Sequence, residues 1–221
     1  MLFIKADTIQ TSDGSNTLKH PIIGDTYHSI NGALEESAHI YINCLLKMIP
    51  FSPINIFEMG FGSGLNALLT LDYAVKNNIK INYTTVELYP LDIETVTNLA
   101  FNNFVDKDIY DLFIKIHSSE WNVKLNICDN FSITKLNTDL LRAELPNSIN
   151  LVYFDAFAPD TQPQLWSVEQ FERLYNHMTT GSILTTYSSK GVVKQAFRKV
   201  GFTVQRLNGV GGKRHILRCT K

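Results

Sequence analysis

Short apolar segments rich in β-branched and aromatic residues alternate with stretches whose apolar positions recur at helical spacing through most of the chain. A period of two predicts strands, and a period near 3.6 predicts helices. The predicted strands are 54–59, 81–87, 123–129, 149–155, 182–188, 202–207 and 214–219. The predicted helices are 36–49, 64–78, 91–103, 108–118, 133–141, 167–178 and 191–200. The first 35 residues are polar and rich in turn residues, which predicts an extension with little strand.

The alternation of strands and helices predicts an α/β fold in which a mostly parallel sheet is covered on both faces. The last two predicted strands flank NGVGGK (208–213) and should form a closing antiparallel hairpin. A Rossmann-like sheet of seven strands with such a hairpin at its end is typical of class I methyltransferases. We therefore predict an N-terminal extension with a helix over residues 1–50 and a class I methyltransferase domain over residues 51–221.

The composition excludes several classes of protein. Of the 221 residues, 44% are hydrophobic and 19% are charged, which is typical of a soluble globular protein. The longest apolar runs fall far short of the ~20 residues of a membrane span, and the N-terminus lacks the pattern of a secretory signal. The three cysteines are scattered and the six histidines show no paired spacing. We therefore expect a cytoplasmic protein with no metal site and no membrane partner.

Charge is divided unevenly along the chain although its net value is −1. The last 49 residues contain ten Lys or Arg and no acidic residue, whereas the preceding residues carry 21 acids against ten bases. An ordinary basic surface on the last helix and strands explains this asymmetry. A docking surface for a polyanion such as RNA explains it equally well.

The segment FEMGFGSGLN (57–66) joins the first strand of the alternating series to its first helix. Its three glycines permit a sharp turn and a close approach by a ligand, and the following helix offers free N–H groups. The spacing Gly-x-Gly-x-Gly differs from the Gly-x-Gly-x-x-Gly of dinucleotide folds. A serine-hydrolase elbow is also excluded because bulky residues flank Ser63 where that elbow needs glycine.

Three acidic residues stand at the ends of successive predicted strands. Glu58 would repel a phosphate but suits a cationic amine, such as the ammonium of S-adenosylmethionine. Glu87 is placed where a carboxylate accepts hydrogen bonds from both ribose hydroxyls, and Asp129 is placed to meet an adenine amino group. Each acid alone is explained by a solvated strand end. Together with the glycine turn, they predict S-adenosylmethionine as the cofactor.

Asp155 ends the fourth strand, which lies beside the first in the usual doubly wound order. It should therefore face the glycine turn across a crevice in which a methyl acceptor can bind. Two prolines stiffen the following loop, and Phe157 and Trp166 offer aromatic faces on which a planar base can stack. For Trp166, a core position beneath the loop is an equal alternative.

Five blocks of the sequence are similar to successive blocks of one family. They are YHSINGALEESAHIYI (27–42), FEMGFGSGLN (57–66), YFDAFAPDTQPQLW (153–166), SILTTYSSKGVVKQAFRKVGF (182–202) and GVGGKRHIL (209–217). They resemble the methyltransferase part of the bacterial tRNA 5-methylaminomethyl-2-thiouridine biosynthesis bifunctional family. The resemblance spans nearly the whole chain, and the Asp-x-Phe-Ala-Pro block with its downstream Pro-x-x-Trp is specific to that family. The glycine block alone indicates only a class I methyltransferase.

The resemblance implies S-adenosylmethionine-dependent methylation of the amine of 5-aminomethyl(-2-thio)uridine at wobble position 34, with the tRNA anticodon loop as partner. In the fused family an FAD-dependent oxidoreductase domain supplies the amine. No dinucleotide fingerprint occurs in this sequence. The expected source of the amine is therefore a separate oxidoreductase or the tRNA aminomethylation enzymes.

The same resemblance, joined to the motifs above, gives the expected site. The residues expected at the cofactor are Tyr27, Glu36, Glu58, Gly60, Gly62, Gly64, Asn66, Glu87, Asp129 and Asp155. The residues expected at the substrate are Phe157, Pro159, Trp166, Ser188, Lys213 and Arg214. By resemblance, Tyr27 and Glu36 lie over the cofactor, and the two basic residues contact tRNA.

Three of these expectations have structural alternatives. Glu36 is also suited to the start of a helix, where the dipole favours a carboxylate. Ser188 is first of all a candidate helix cap. Lys213 and Arg214 are also explained as residues of a solvated hairpin turn.

Asp155 is the predicted catalytic residue. An alkylamine is mostly protonated at neutral pH because its pKa is roughly 10, and only the neutral form can attack a methyl group. A carboxylate of ordinary pKa is a poor general base, so Asp155 should hold and orient the amine and stabilise developing positive charge.

Two other functions remain open from the sequence. A class I methyltransferase or aminopropyl-type transferase for a small amine would need the same carboxylates but no basic tail. A non-catalytic cofactor-binding module would act through a protein partner, but the four acids at the strand ends argue against decay of the site.

Overall fold

The computed structural model describes residues 3–221. Its strands are β1 (Asp7–Gln10), β2 (Asn16–Lys19), β3 (Ile54–Met59), β4 (Ile81–Glu87), β5 (Lys124–Cys128), β6 (Phe131–Asn137), β7 (Ile149–Phe154), β8 (Met178–Thr186), β9 (Thr203–Asn208) and β10 (His215–Thr220). Its α-helices are α1 (Ala33–Ser37), α2 (Leu65–Lys76), α3 (Ile93–Thr97), α4 (Lys107–Ser118), α5 (Val168–His177) and α6 (Gly191–Val200). A π-helical turn lies at Ala38–Asn43, and 3-10 turns lie at Leu46–Met48, Phe101–Asn103 and Pro163–Trp166.

Eight strands form one sheet in the order β5-β6-β4-β3-β7-β8-β10-β9, and β1 pairs separately with β2. The five strands from β6 to β8 in that order run parallel to one another. β10 pairs antiparallel with both β8 and β9, which confirms the predicted closing hairpin. The α/β class and the mostly parallel Rossmann-like sheet are confirmed. The sheet has eight strands instead of the predicted seven because β6 lies where a helix was predicted, and β5 is its antiparallel edge.

The region between β5 and β6 departs from the sequence prediction. The predicted third strand is the antiparallel edge strand β5, and the predicted helix at 133–141 is largely strand β6. In β6, Phe131, Ile133 and Lys135 are buried at alternating positions. The Lys135 ammonium donates to the carbonyl oxygens of His117 at 3.2 Å and Ser119 at 3.0 Å, where the end of α4 favours a cation. A lysine at a core position hides the period of two that marks a strand.

Two predicted helices are broken into shorter pieces. The helix predicted at 36–49 begins earlier, as α1, and continues through the π-helical and 3-10 turns. The helix predicted at 91–103 is α3 followed by a 3-10 turn. The helix predicted to begin at Ser167 is α5, and Ser167 caps it by accepting a hydrogen bond from the backbone N–H of Gln170 at 3.3 Å.

Two apolar cores cover the two faces of the sheet. Side chains of α2 and α4 form one core together with Ile4, Leu18 and Ala33 of the N-terminal segment, and side chains of α5 and α6 form the other. The N-terminal segment is therefore packed against the sheet, and the domain division at residue 50 stays a prediction. In the part of the chain from residue 3 to 221, no helix combines the length and apolarity that a membrane crossing needs.

Candidate active site

A cavity of about 590 Å³ lies at the carboxyl ends of the parallel strands. Its walls come from residues that follow β3, β4, β6, β7 and β8, from the N-terminal segment 20–41, and from the turn between β9 and β10. Ligands of doubly wound sheets bind outside the carboxyl ends of the strands. The volume lies within the ~300–1,000 Å³ that small-molecule sites occupy. The position and size of this cavity make it the candidate active site.

The glycine turn after β3 forms one wall. Gly60 and Gly62 line the cavity with φ values of 92° and 51°, which other residues rarely adopt. A Cβ on Gly62 would lie 2.8 Å from Cδ1 of Tyr27. Gly64 does not line the cavity, because it packs against α4, where a Cβ would lie 2.5 Å from Nε2 of His117. The expected cofactor contact of Gly64 is therefore corrected to a packing role.

Glu87 lies beside this turn, at the carboxyl end of β4, and lines the cavity. Its Oε2 accepts a hydrogen bond from Gly62 N–H at 2.9 Å, and its Oε1 accepts one from Tyr89 N–H at 2.9 Å. Burial raises the pKa of Glu87, although these backbone hydrogen bonds oppose the rise. The glycine turn and the carboxylate thus hold each other in place, and the carboxylate retains lone pairs for a diol.

The structure corrects the expected position of the third acid. Asp129 lies in the turn between β5 and β6, at the amino ends of the parallel strands, and does not line the cavity. The residue in the expected place is Asp139, which follows β6 and lines the cavity. Its Oδ1 accepts a hydrogen bond from Leu141 N–H at 2.9 Å. Asp139 was not among the predicted site residues because β6 was predicted to be a helix.

Glu58 also lies elsewhere than expected. It is buried within the sheet and does not line the cavity. Thr85 donates to its Oε2 at 2.8 Å, whereas its Oε1 has no hydrogen-bond partner among residues 3–221. Burial raises the pKa of Glu58 to about 8. Glu58 is therefore mostly protonated at neutral pH, and it does not supply the exposed negative charge that sequence analysis expected.

Asp155 follows β7 and lines the cavity, as its place in the sequence predicted. Its Oδ2 accepts a hydrogen bond from Nδ2 of Asn66, on the first turn of α2, at 2.8 Å. Burial raises the pKa of Asp155, while Asn66, Tyr41 and the Lys213 ammonium oppose the rise. The structure thus places a half-buried, oriented carboxylate directly on the cavity wall.

Lys213 enters the cavity from the turn between β9 and β10. Its ammonium forms an ion pair with Glu36 of α1 and lies 4.6 Å from the ring centroid of Tyr187. Lys213 is therefore half-buried against the cavity and not a solvated hairpin residue, and its expected contact with tRNA stays a prediction. Its neighbour Arg214 is exposed and does not line the cavity.

Aromatic rings form another wall of the cavity, and one of them, Tyr27, adjoins the glycine turn. Phe157 lies 5.4 Å from Tyr27 and 5.5 Å from His20 between ring centroids, and all three residues line the cavity. Within the described residues, the hydroxyl of Tyr27 and Nε2 of His20 are buried without a hydrogen-bond partner. His20 was missed because a single histidine in a polar segment carries no local signal of an aromatic contact.

Three residues expected at the substrate lie behind this wall. Trp166 is buried, donates from Nε1 to the carbonyl oxygen of Phe157 at 2.8 Å, and packs against Phe154. Pro159 and Ser188 are buried as well, and none of the three lines the cavity. Ser188 does not cap α6 either, because the residue before that helix is Lys190. The core position proposed as the alternative for Trp166 is the observed one.

Comparison with known proteins bears on the chemistry of this site. Residues 80–221 match a protein family described as S-adenosyl-L-methionine-dependent methyltransferase. The chain belongs to this methyltransferase family. The match covers β4 to β10. It therefore includes Glu87 at the end of β4, Asp139 after β6 and Asp155 after β7.

One relative is the tRNA 5-methylaminomethyl-2-thiouridine biosynthesis bifunctional protein MnmC of Burkholderia multivorans. This methyltransferase chain is 30% identical to it over 222 residues, and the alignment covers 91% of this chain and 33% of that protein. It is also 30% identical over 202 residues to the protein of that name from Campylobacter fetus, covering 89% of this chain and 33% of that protein. The chain thus spans about a third of the length of these curated relatives. The crystal structure of MNMC2 from Aquifex aeolicus has the same fold, with a TM-score of 0.77 and 22% identity over 97% of this chain and 69% of that one.

The cofactor of the methyltransferase family, S-adenosyl-L-methionine, fits the residues of this cavity. Glu87 offers carboxylate lone pairs to a ribose diol, and Asp139 offers a carboxylate to an adenine amino group. Gly60 and Gly62 line the cavity with bare backbone, which the amino acid end can approach closely. The unpartnered hydroxyl of Tyr27 provides one further hydrogen-bonding group.

Proposed function

We propose that this methyltransferase methylates the primary amine of 5-aminomethyluridine, or of its 2-thio form, at wobble position 34 of tRNA. The product is the 5-methylaminomethyl nucleoside. The observation that carries the proposal is the match of 91% and 89% of the chain to relatives named for the biosynthesis of that nucleoside. The half-buried carboxylate of Asp155 on the cavity wall supports it, because an amine substrate needs such a partner.

In this proposal Glu87, Asp139 and the backbone of the Gly60–Gly62 turn hold the cofactor, and Tyr27 lies over it. When bound, S-adenosylmethionine supplies an electrophilic methyl group, which the amine nitrogen takes with its lone pair while the electrons of the broken C–S bond stay on sulfur. Asn66 fixes the Asp155 carboxylate at 2.8 Å, and Asp155 holds the amine so that its lone pair points to the methyl group.

The uracil ring is held by the aromatic wall. Phe157, Tyr27 and His20 present ring faces and edges to the cavity, and stacking of a base on an aromatic ring is worth about 1–3 kcal/mol. The unpartnered Nε2 of His20 offers a hydrogen bond to the edge of a planar base. A small alkylamine would leave this part of the cavity unfilled.

The tRNA backbone binds to the basic last quarter of the chain. Four of its cations are exposed on α6, β9 and the turn that follows; they are Arg198, Lys199, Arg206 and Arg214. The turn that carries Arg214 also carries Lys213 into the cavity, so this end of the basic surface adjoins the site. A preceding reaction must leave a primary aminomethyl group on the uridine, either by trimming a larger substituent or by direct aminomethylation.

The proposal is tested by incubating the protein with S-adenosylmethionine and tRNA that carries 5-aminomethyl-2-thiouridine at position 34. Mass analysis of the digested nucleosides should show the gain of one methyl group on that nucleoside. The same tRNA with unmodified uridine at position 34 is the matched control and should gain none. Methylation of a free alkylamine but not of the tRNA would instead identify a small-molecule methyltransferase.

A further inference from the structure

The position of Lys213 is held by contacts from the opposite end of the chain. Nδ2 of Asn31 donates to the carbonyl oxygen of Gly211 at 2.9 Å, and Nε2 of His39 lies 2.8 Å from the carbonyl oxygen of Asn208. Gly209 closes the turn, because a Cβ there would lie 2.2 Å from the carbonyl oxygen of Lys213. The turn is thus built to carry its lysine into the cavity.

The charges around Lys213 come from several elements. Glu36 of α1 pairs with it, and Tyr187 lies beneath it. The charge of Lys213 also acts on Asp155 and His28. Burial raises the pKa of the Asp155 carboxyl, and the Lys213 ammonium opposes this rise. Burial lowers the pKa of the His28 imidazole, and the Lys213 ammonium lowers it further. Of the cavity-lining residues in the part of the chain that the structure describes, Lys213 is the only lysine or arginine.

A fixed cation is an unusual component of a site for an alkylamine. Of the five carboxylates that line the cavity, Glu36 and Asp155 are the two whose charge interacts with Lys213, and they would favour the protonated amine; the others are Asp25, Glu87 and Asp139. A protonated amine has no lone pair and cannot accept a methyl group. An ammonium nearby has the opposite effect, because like charges disfavour the charged form of the substrate.

We propose that Lys213 keeps the bound substrate amine neutral, by cancelling the charge of Glu36 and placing a cation in the cavity that Asp155 also lines. The proton that the substrate ammonium loses on binding passes to solvent. Lys213 therefore sets the protonation state of the nucleophile, while Asp155 sets its direction. This inference rests on the proposed methylation of a primary amine.

The first test is the pH dependence of single-turnover methyl transfer to tRNA that carries 5-aminomethyl-2-thiouridine. The rate should rise with pH until the bound amine is neutral. Lys213→Met should move the midpoint of this rise up by about one pH unit, equivalent to about 1.4 kcal/mol. Lys213→Arg retains the charge and should keep the midpoint within a few tenths of a unit.

A second variant gives a shift of opposite sign. Glu36→Gln leaves the Lys213 charge uncompensated and should lower the midpoint, and the double variant Glu36→Gln, Lys213→Met should lie between the two single variants. A merely structural role would reduce the rate equally at all pH values and leave the midpoint in place. That result in Lys213→Met would overturn the inference.

A binding measurement provides a readout independent of turnover. Calorimetric titration of the tRNA into protein saturated with S-adenosylhomocysteine, in buffers of different ionisation enthalpy, gives the number of protons released. At pH near 7.5 the wild type should release up to one proton more with aminomethylated tRNA than with unmodified tRNA, and Lys213→Met should release fewer. Equal release by both proteins contradicts the role of Lys213. Absence of any methylation by the wild type contradicts the proposed function itself.

Discussion

Asn66, on the first turn of α2, donates a hydrogen bond from Nδ2 to Oδ2 of Asp155 at 2.8 Å, at the carboxyl ends of the strands. This hydrogen bond joins the glycine-turn helix to the loop after β7. It leaves the other oxygen of Asp155 available to a ligand.

Asp155→Asn should abolish methyl transfer while preserving the structure of the site. The amide oxygen of the new side chain can still accept from Asn66, but it carries no charge to stabilise the positive charge that develops on the amine during methyl transfer. We expect the single-turnover rate to fall about 10²–10⁴-fold. Affinity for S-adenosylmethionine, measured by calorimetry, should change less than about threefold. A variant with near-normal rates would remove Asp155 from the mechanism.

Asp139 and Asp129 form a matched pair for testing where the adenine binds. Asp139→Ala should weaken S-adenosylmethionine binding about tenfold, because a hydrogen bond to a charged group is worth about 1.5–3 kcal/mol. Asp129→Ala should leave the affinity unchanged, since Asp129 lies at the other end of the sheet. Equal affinities for the two variants would contradict the placement of the adenine at Asp139.

Gly62→Ala should impair both folding and cofactor binding. The residue has φ of 51°, and its new Cβ would lie 2.8 Å from Tyr27. Gly181→Ala is the control, because Gly181 has φ of 81° with no atom near its Cβ position. Both variants should lose about 1–2 kcal/mol of unfolding free energy from the left-handed backbone. Only Gly62→Ala should lose affinity for S-adenosylmethionine, and an equal loss in both would exclude a role for the turn.

Glu58 should make the stability of the protein depend on pH. Burial raises its folded-state pKa to about 8, above the ordinary value of 4.5. Its contribution is therefore fully present below about pH 4.5 and is lost as pH rises through about 8. Urea unfolding between pH 5 and 8.5 should show this loss in the wild type. Glu58→Gln, which is neutral throughout, should show a flatter profile, and identical profiles would contradict the raised pKa.

The exposed cations of the last quarter should control tRNA affinity. Arg198→Gln combined with Arg206→Gln should weaken tRNA binding and lower the slope of log affinity against log salt by about 2, since each phosphate contact contributes about one unit. Lys107→Gln removes an exposed cation on α4, far along the chain from this surface, and should leave the slope unchanged. Equal slopes in all three proteins would place the tRNA elsewhere.

The parts of the site that follow strands of clear pattern could be predicted from the sequence. The bounds of β3 and β4 agree with the prediction, and Asp155 and Glu87 lie at the cavity as expected. In β4 and β7 no charged residue precedes the acid, which stands directly at the strand end. The position of a strand end then determines the position of the side chain.

The rest could not be predicted because it depends on contacts between distant parts of the chain. Lys135 is tolerated in a core strand only because α4 ends beside it. Since the sequence does not show this contact, it did not identify β6 as a strand or Asp139 as the residue that follows its end. Lys213 and Glu36 are 177 residues apart, so no local pattern indicates their ion pair. Glu58 stands at a strand end like its counterparts, but burial changes its protonation state.

The hydrogen bond from Asn31 to Gly211 joins residues 180 positions apart, directly beside the cavity. During synthesis the ribosome makes Asn31 long before it makes Gly211. Contacts of such long sequence separation also form slowly, because a large loop must close first. The nascent chain can therefore pair β3 to β8 early, but the cavity lacks one wall until β9, β10 and their turn have been made. The contact between Asn31 and Gly211 then ties the first part of the site to the last.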